Sequence, residues 1–210
     1  MTQRPSLSKR WRVLLVGDCG VGKSTFFYSC VKASGQEKVK DLDEADIMST
    51  IGVDFHTRTL LRQRQQHSLQ VWDTAGRRAF RSVTLSYFPG TDTFLLFFDM
   101  SSRASLQSCD EWIHDIRSKS GESVPIFLIG NKTDLTNEVS ITDIDRFCET
   151  HGIDEGALFQ ISLRRGEGGQ ILDRLLDRLR GPQLEDWVEP ATERKPIRGS
   201  WGQWLRSWVG

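Results

Sequence analysis

Residues 17–24, GDCGVGKS, constrain this chain more than any other stretch. They fit the pattern GxxxxGK[ST], which has physical meaning only between a strand and a helix. Both flanks are present: the apolar run 11–16 reads as a buried strand, and 23–32 as the helix that follows. In such a loop Gly17, Gly20 and Gly22 keep side chains out of the way. The backbone N–H groups of the loop, including those of Asp18, Cys19 and Val21, can then surround phosphate at the positive end of a helix. Lys23 would bring a point charge to the β- and γ-phosphates, and Ser24 a hydroxyl to Mg²⁺, with Thr25 beside it. This chemistry specifies a nucleoside triphosphate and leaves the base open.

The remainder of the chain alternates apolar runs with helical patterns, the signature of an α/β fold with a parallel sheet. Strands are expected over 53–61, 68–72, 93–99, 125–129 and 158–161, with the polar stretch 62–67 linking the first pair as a hairpin. Helices fit 104–118, 141–151 and 169–180; the last carries Ile171, Leu172, Leu175, Leu176 and Leu179 as one apolar stripe. Gly181 and Pro182 end the pattern. The expected organisation is an extension over 1–10, one domain over 11–181 and a tail over 182–210. Lys and Arg number 28, as do Asp and Glu, so the charge balance gives no reason to expect nucleic acid as a partner. Cys19, Cys30, Cys109 and Cys148 have no metal or redox spacing, and no signal peptide or membrane-spanning run is visible, so a reduced cytoplasmic protein is expected.

Three further segments narrow the base. DTAG at 73–76 closes the third expected strand, NKTD at 131–134 follows the fifth, and Ser162-Leu163-Arg164 follows the sixth. With the phosphate loop, their order resembles the Ras-like small GTPases over about residues 10–180. Residues 49–55 (STIGVDF) and 72–90 are similar to the two switch segments of the Rab branch. The resemblance implies a P-loop NTPase fold of the small-G-protein kind, a six-stranded mixed sheet flanked by about five helices. It implies GTP and GDP as ligands, with Mg²⁺. Asn131 and Asp134 would read guanine, Lys132 would lie along the base, and Ser162, Leu163 and Arg164 would complete the base site. Ser24, Thr50 and Asp73 would hold Mg²⁺, Asp73 through water; Gly76 N–H would meet the γ-phosphate. Ile51, Phe55, Trp72 and Tyr87 match effector-contact positions.

Several residues depart from that pattern. Arg77 stands where glutamine orients the attacking water. A guanidinium donates hydrogen bonds and accepts none, so it cannot fill that role. Slow hydrolysis is expected, with Lys23, Thr50 and Arg77 as the groups nearest the chemistry; a second reading has Arg77 stabilise developing charge in cis. Arg78 replaces a usual glutamate. Lys23 and Thr50 are farther apart than is usual, with the excess in 34–48, and Asp43 falls where an aromatic residue would pack on guanine, so weaker nucleotide retention is expected. Leu163 and Arg164 replace alanine and lysine.

The tail lacks the cysteines prenylated in Rab proteins, the last cysteine being Cys148, and Thr2 stands in place of the glycine that myristoylation needs. Trp201, Trp204, Leu205, Trp208 and Val209 recur at helical spacing among Arg194, Lys195, Arg198 and Arg206. Such a face suits a membrane surface, a protein partner or the chain's own domain. The expectation is a monomeric, Rab-like GTP/GDP switch in vesicle or membrane traffic, meeting effector, exchange-factor and activating proteins and peripheral on endomembranes. The alternative is a scaffold that holds GTP without switching. ATP use is opposed by NKTD at 131–134.

Overall fold

The computed structural model describes residues 7–32, 50, 52–62 and 65–179. Strand β1 (Leu7–Val16) leads into helix α1 (Lys23–Phe26), which widens into a π-helical turn over Phe27–Lys32. Strands β2 (Val53–Arg62) and β3 (Gln65–Thr74) follow, then the short helix α2 (Arg81–Leu85) and β4 (Thr93–Asp99). Helix α3 (Arg103–Ser120), β5 (Ile126–Asn131), α4 (Ile141–His151), β6 (Leu158–Gln160) and α5 (Gly169–Leu179) complete the described order.

The six strands lie in the order β2-β3-β1-β4-β5-β6, with β2 antiparallel to β3 and the other pairs parallel, as expected for a mixed sheet. Every residue of β4, TFLLFFD, is buried, because a central parallel strand is covered on both faces. Phe94, Phe97 and Phe98 are fully enclosed. Truncating Phe97 to alanine would cost about 3–5 kcal/mol, enough to threaten a domain of ordinary stability.

Most strand and helix ends shift by a residue or two from the sequence expectation, β5 running on to Asn131, and three differences go further. β1 begins at Leu7, so part of the segment assigned to the extension 1–10 is strand, paired with β3 as far back as Leu7 opposite Gln66. The hairpin strands run on through a shared register that pairs Arg62 with Gln65, which leaves only 63–64 between them, where 62–67 was expected as the link. The helix over 23–32 changes type after Phe26. There Ser29 Oγ–H donates to the Thr25 carbonyl at 2.6 Å, a side-chain bond that competes with the helical ladder. The wider turn keeps Phe26, Phe27, Cys30 and Val31 all buried.

Helix ends obey local chemistry. α4 opens on a reciprocal pair in which the Asp143 N–H donates to Ser140 Oγ and the Ser140 N–H donates to Asp143 Oδ2, each at 3.1 Å. It closes on Gly152 in the left-handed region. The stripe on α5 faces inward, with Ile171, Leu172, Leu175 and Leu176 buried.

The register decides where chemistry can collect. Leu15 pairs with Asp73, Val16 with Leu96, Asp99 with Asn131, and Gly130 with Gln160. The C-terminal ends of β1, β3, β4, β5 and β6 therefore meet at one edge. From that edge the chain runs from β1 outward to β2 and from β3 back past β1 to β4, so the strand order reverses there, the usual position of a ligand crevice in open α/β folds.

Candidate functional site

The phosphate loop leaves β1 at that edge, and Gly22 shows how closely it packs. Its φ of 107° belongs to the left-handed region, and a β-carbon on it would run into the Asn131 side chain. Lys23 is 5% exposed; its Nζ donates to the carbonyls of Gly17 at 2.8 Å and Asp18 at 2.7 Å. Burial lowers its pKa from 10.5 to about 8, against the opposing pull of Asp73, Cys19 and Asp18. An ammonium held this way gains charge stabilisation from any anion that enters.

Ser24, Thr50 and Asp73, expected together at a metal, do converge. The Ser24 hydroxyl donates to Asp73 Oδ2 at 2.7 Å, the Thr50 hydroxyl to the same oxygen at 3.2 Å, and the two hydroxyls lie 2.9 Å apart. Asp73 is 1% exposed and its other oxygen, Oδ1, is buried with no hydrogen-bond partner. Burial raises its pKa, against Ser24, Lys23 and Thr50. An unsatisfied buried carboxylate oxygen beside two hydroxyls is a hard-oxygen set that fits Mg²⁺, whose remaining positions would go to water and phosphate. Among the described residues no three Asp, Glu, His or Cys groups cluster to hold a metal by themselves.

The base loop is joined to the phosphate loop through Asn131, which is 4% exposed. Its Nδ2 donates to the Val21 carbonyl at 2.9 Å, and its Oδ1 accepts from the Leu163 N–H at 3.1 Å. Asp134 accepts from the buried Ser162 hydroxyl at 2.6 Å, the leading cause of its lowered pKa. Lys132 is the one non-glycine residue with positive φ among those described, at 68°, a conformation costing about 1–2 kcal/mol in a lysine. Its Nζ meets Asp99 Oδ2 at 2.6 Å. Burial pulls the Asp99 pKa upward, but Lys132 and Ser101 outweigh it and the net shift is downward. Leu163 is buried and Arg164 exposed, so the leucine is accommodated by the core.

Cys19, Gly20, Gly22, Lys23, Ser24, Thr25, Thr50, Thr74, Gly76 and Arg77 line one cleft. Arg77 stands at its rim, exposed, in extended backbone just before a 3₁₀ turn over Arg78–Phe80. Beyond it the aromatic residues form a continuous run: Phe55 stacks on Trp72 at 4.9 Å, and Trp72 meets Tyr87 at 5.5 Å. Phe55 is 48% exposed. Ile51, residues 34–48 with Asp43, and the tail 182–210 lie outside the described residues.

Two supports escape sequence reading. Arg12 lies over the Trp72 ring at 5.0 Å and donates to the Tyr87 carbonyl at 3.0 Å, fixing that aromatic run from β1. Trp112, on α3, donates to Asp18 Oδ1 at 3.0 Å. Both residues look like ordinary strand and helix positions in sequence, and neither belongs to a motif.

Comparison with known proteins agrees with this arrangement. The Ras family model matches residues 12–160. Rab-11A of Dictyostelium discoideum is 35% identical over 67% of this chain and 63% of its own length. The Ras and EF-hand domain-containing protein of Danio rerio is 39% identical over 61% of this chain and 18% of its own length. The chain thus spans less than two thirds of either relative. GTP-binding protein Rab-3D of Rattus norvegicus is 31% identical over 87% of this chain and 79% of its own length. No described helix is long and apolar enough to cross a membrane. A match that runs from the middle of β1 to the end of β6 makes this chain a member of the Ras family, close to its Rab proteins.

Proposed function

We propose that this chain binds GTP and GDP with Mg²⁺ and acts as a nucleotide-dependent switch, read by partner proteins in membrane traffic. Hydrolysis is slow, because Arg77 occupies the position from which water would be oriented. The observation that carries the reading is the pair of bonds from Asn131, to the Val21 carbonyl and from the Leu163 N–H. They make the phosphate loop and the base loop one unit, so a ligand must satisfy both.

Asn131, Lys132 and Asp134 bind the base, with Ser162, Leu163 and Arg164 around it. Asp134 accepts from the ring N–H and amine of guanine, a donor pair that adenine lacks; with adenine the carboxylate would keep the Ser162 hydroxyl and lose both base donors. Gly17, Asp18, Cys19, Gly20, Val21, Gly22, Lys23 and Thr25 surround the phosphates. Ser24, Thr50 and Asp73 hold Mg²⁺, which neutralises phosphate charge when bound. Gly76 meets the γ-phosphate, and order in 49–55 and 77–87 reports its presence to a partner that contacts Ile51, Phe55, Trp72 and Tyr87.

Equilibrium titration with fluorescent GTP, GDP and ATP, with and without Mg²⁺, tests this. Micromolar or tighter binding of both guanine nucleotides, with ATP at least a hundredfold weaker, is expected. Equal binding of ATP contradicts the reading. A second reading, a GTP-holding scaffold that does not switch, is favoured by Arg77 and by the longer first-switch sequence between Lys23 and Thr50; a partner that binds the GDP and GTP forms equally would establish it.

A further inference from the structure

Trp112 is 2% exposed on α3, and the indole N–H it donates to Asp18 bridges 94 positions of sequence. Asp18 is the second residue of the phosphate loop. Over the same indole ring, 4.5 Å from its centroid, lies the guanidinium of Arg81. That group is fixed in turn: Nη2 and Nε donate to Asp115 Oδ2 at 2.6 and 2.9 Å, and Nη1 to Glu111 Oε2 at 3.2 Å. Arg81 opens α2, shortly after Gly76.

Gly76 bears on Asp18 from another side. A β-carbon there would come within 2.5 Å of the Asp18 carbonyl and of Lys23 Nζ. Segment 76–81 therefore presses on Asp18 at one end directly and at the other through Trp112. The Asp18 carboxylate is a negative charge within the very loop that must receive phosphate. The indole bond holds it against α3; without that bond, the carboxylate can turn toward the incoming anion and repel it. The repulsion grows with ligand charge, so it acts harder on a triphosphate than on a diphosphate.

We propose that Trp112 is a positioning residue that tethers Asp18 away from the phosphates and couples segment 76–81 to the loop's hold on a triphosphate. This rests on the guanine-nucleotide reading above.

The test is the release rate of fluorescent GDP and of a fluorescent non-hydrolysable GTP analogue in Mg²⁺. Trp112→Phe keeps a ring beneath Arg81 and removes the N–H donor together with part of the buried indole, a packing loss that the Asp18→Ala background shares. In the native background it is expected to speed release of the triphosphate analogue about tenfold, the scale of one hydrogen bond to a charged group, and of GDP less than threefold. In an Asp18→Ala background the same change should have no effect, since contacting residues couple and this pair would already be broken. Equal acceleration in both backgrounds, or none in either, overturns the proposal. Should Trp112→Phe fail to fold, Arg81→Gln decides the same point: faster triphosphate release only while Asp18 is present supports the coupling, and acceleration independent of Asp18 refutes it. If the native protein binds no guanine nucleotide, the proposed function falls and this inference with it. If it binds both nucleotides and the variants behave as native, only the coupling falls.

Discussion

Asp73 and Arg77 stand four positions apart, and the fold treats them in opposite ways. Asp73 lies one residue before the end of β3 in register with Leu15, is 1% exposed, and receives hydrogen bonds from two hydroxyls. Arg77 lies past the strand, exposed at the rim of the cleft. In the proposed site, binding chemistry would fall in part to side chains that the sheet register itself positions, Asp73 on β3 and Asn131 on β5. Hydrolytic chemistry would depend on one exposed residue beyond the end of the strand, and here it is an arginine.

The contrast can be broken from either side. The largest effect is expected at the base loop. Asp134→Ala removes two charge-assisted hydrogen bonds to guanine, worth about 1.5–3 kcal/mol each, so guanine-nucleotide affinity should fall roughly 10²–10⁴-fold by titration. A loss below tenfold would mean that Asp134 does not read the base. At the exposed aromatic run, Phe55→Ala should weaken capture of a GTP-dependent partner about thirtyfold, as an anchor residue does, while nucleotide affinity stays unchanged. Unchanged capture would move the partner surface elsewhere.

The pH dependence of binding comes next. Lys23 loses its charge above pH 8 in the free protein, and bound phosphate favours the charged form. Binding therefore takes up a proton above that pH, and affinity should fall by up to about tenfold per pH unit beyond it. Calorimetry at pH 8.5 in buffers of different ionisation enthalpy reads that uptake directly; none would contradict the lowered pKa of Lys23. Stability moves the other way. The unfolded chain holds more protons than the native one between about pH 8 and 10.5, so this lysine's contribution to unfolding free energy rises with pH across that window. The smallest effect is at the rim: Arg77→Gln should leave thermal stability within about 0.5 kcal/mol of native, as surface substitutions do. A larger change would show that the arginine is structural.

The sequence was most legible where residue type and spacing are dictated by chemistry. Glycines spaced to surround a phosphate, or a strand as apolar as TFLLFFD, suit few other structures, and β4 and the phosphate loop stand where the pattern put them. The hairpin ends were harder to read, because polar residues at a sheet edge satisfy strand and turn equally; only the register across Arg62 and Gln65 shows that the strands continue. The π-helical turn was not legible at all, since the Ser29 hydroxyl bond to the Thr25 carbonyl that accompanies it leaves no periodic mark in the sequence. Trp112 and Arg12 were missed for a similar reason. Each acts across 75 or more positions of chain, and nothing local in α3 or β1 announces a contact at that range.

Single-turnover hydrolysis of bound GTP, with Mg²⁺, by the native protein beside Arg77→Gln tests the central contrast most directly. A native protein that binds GTP and is nearly inert, with a variant at least tenfold faster, is the predicted result. Native hydrolysis faster than the variant's would contradict it, and would make Arg77 a working part of the site.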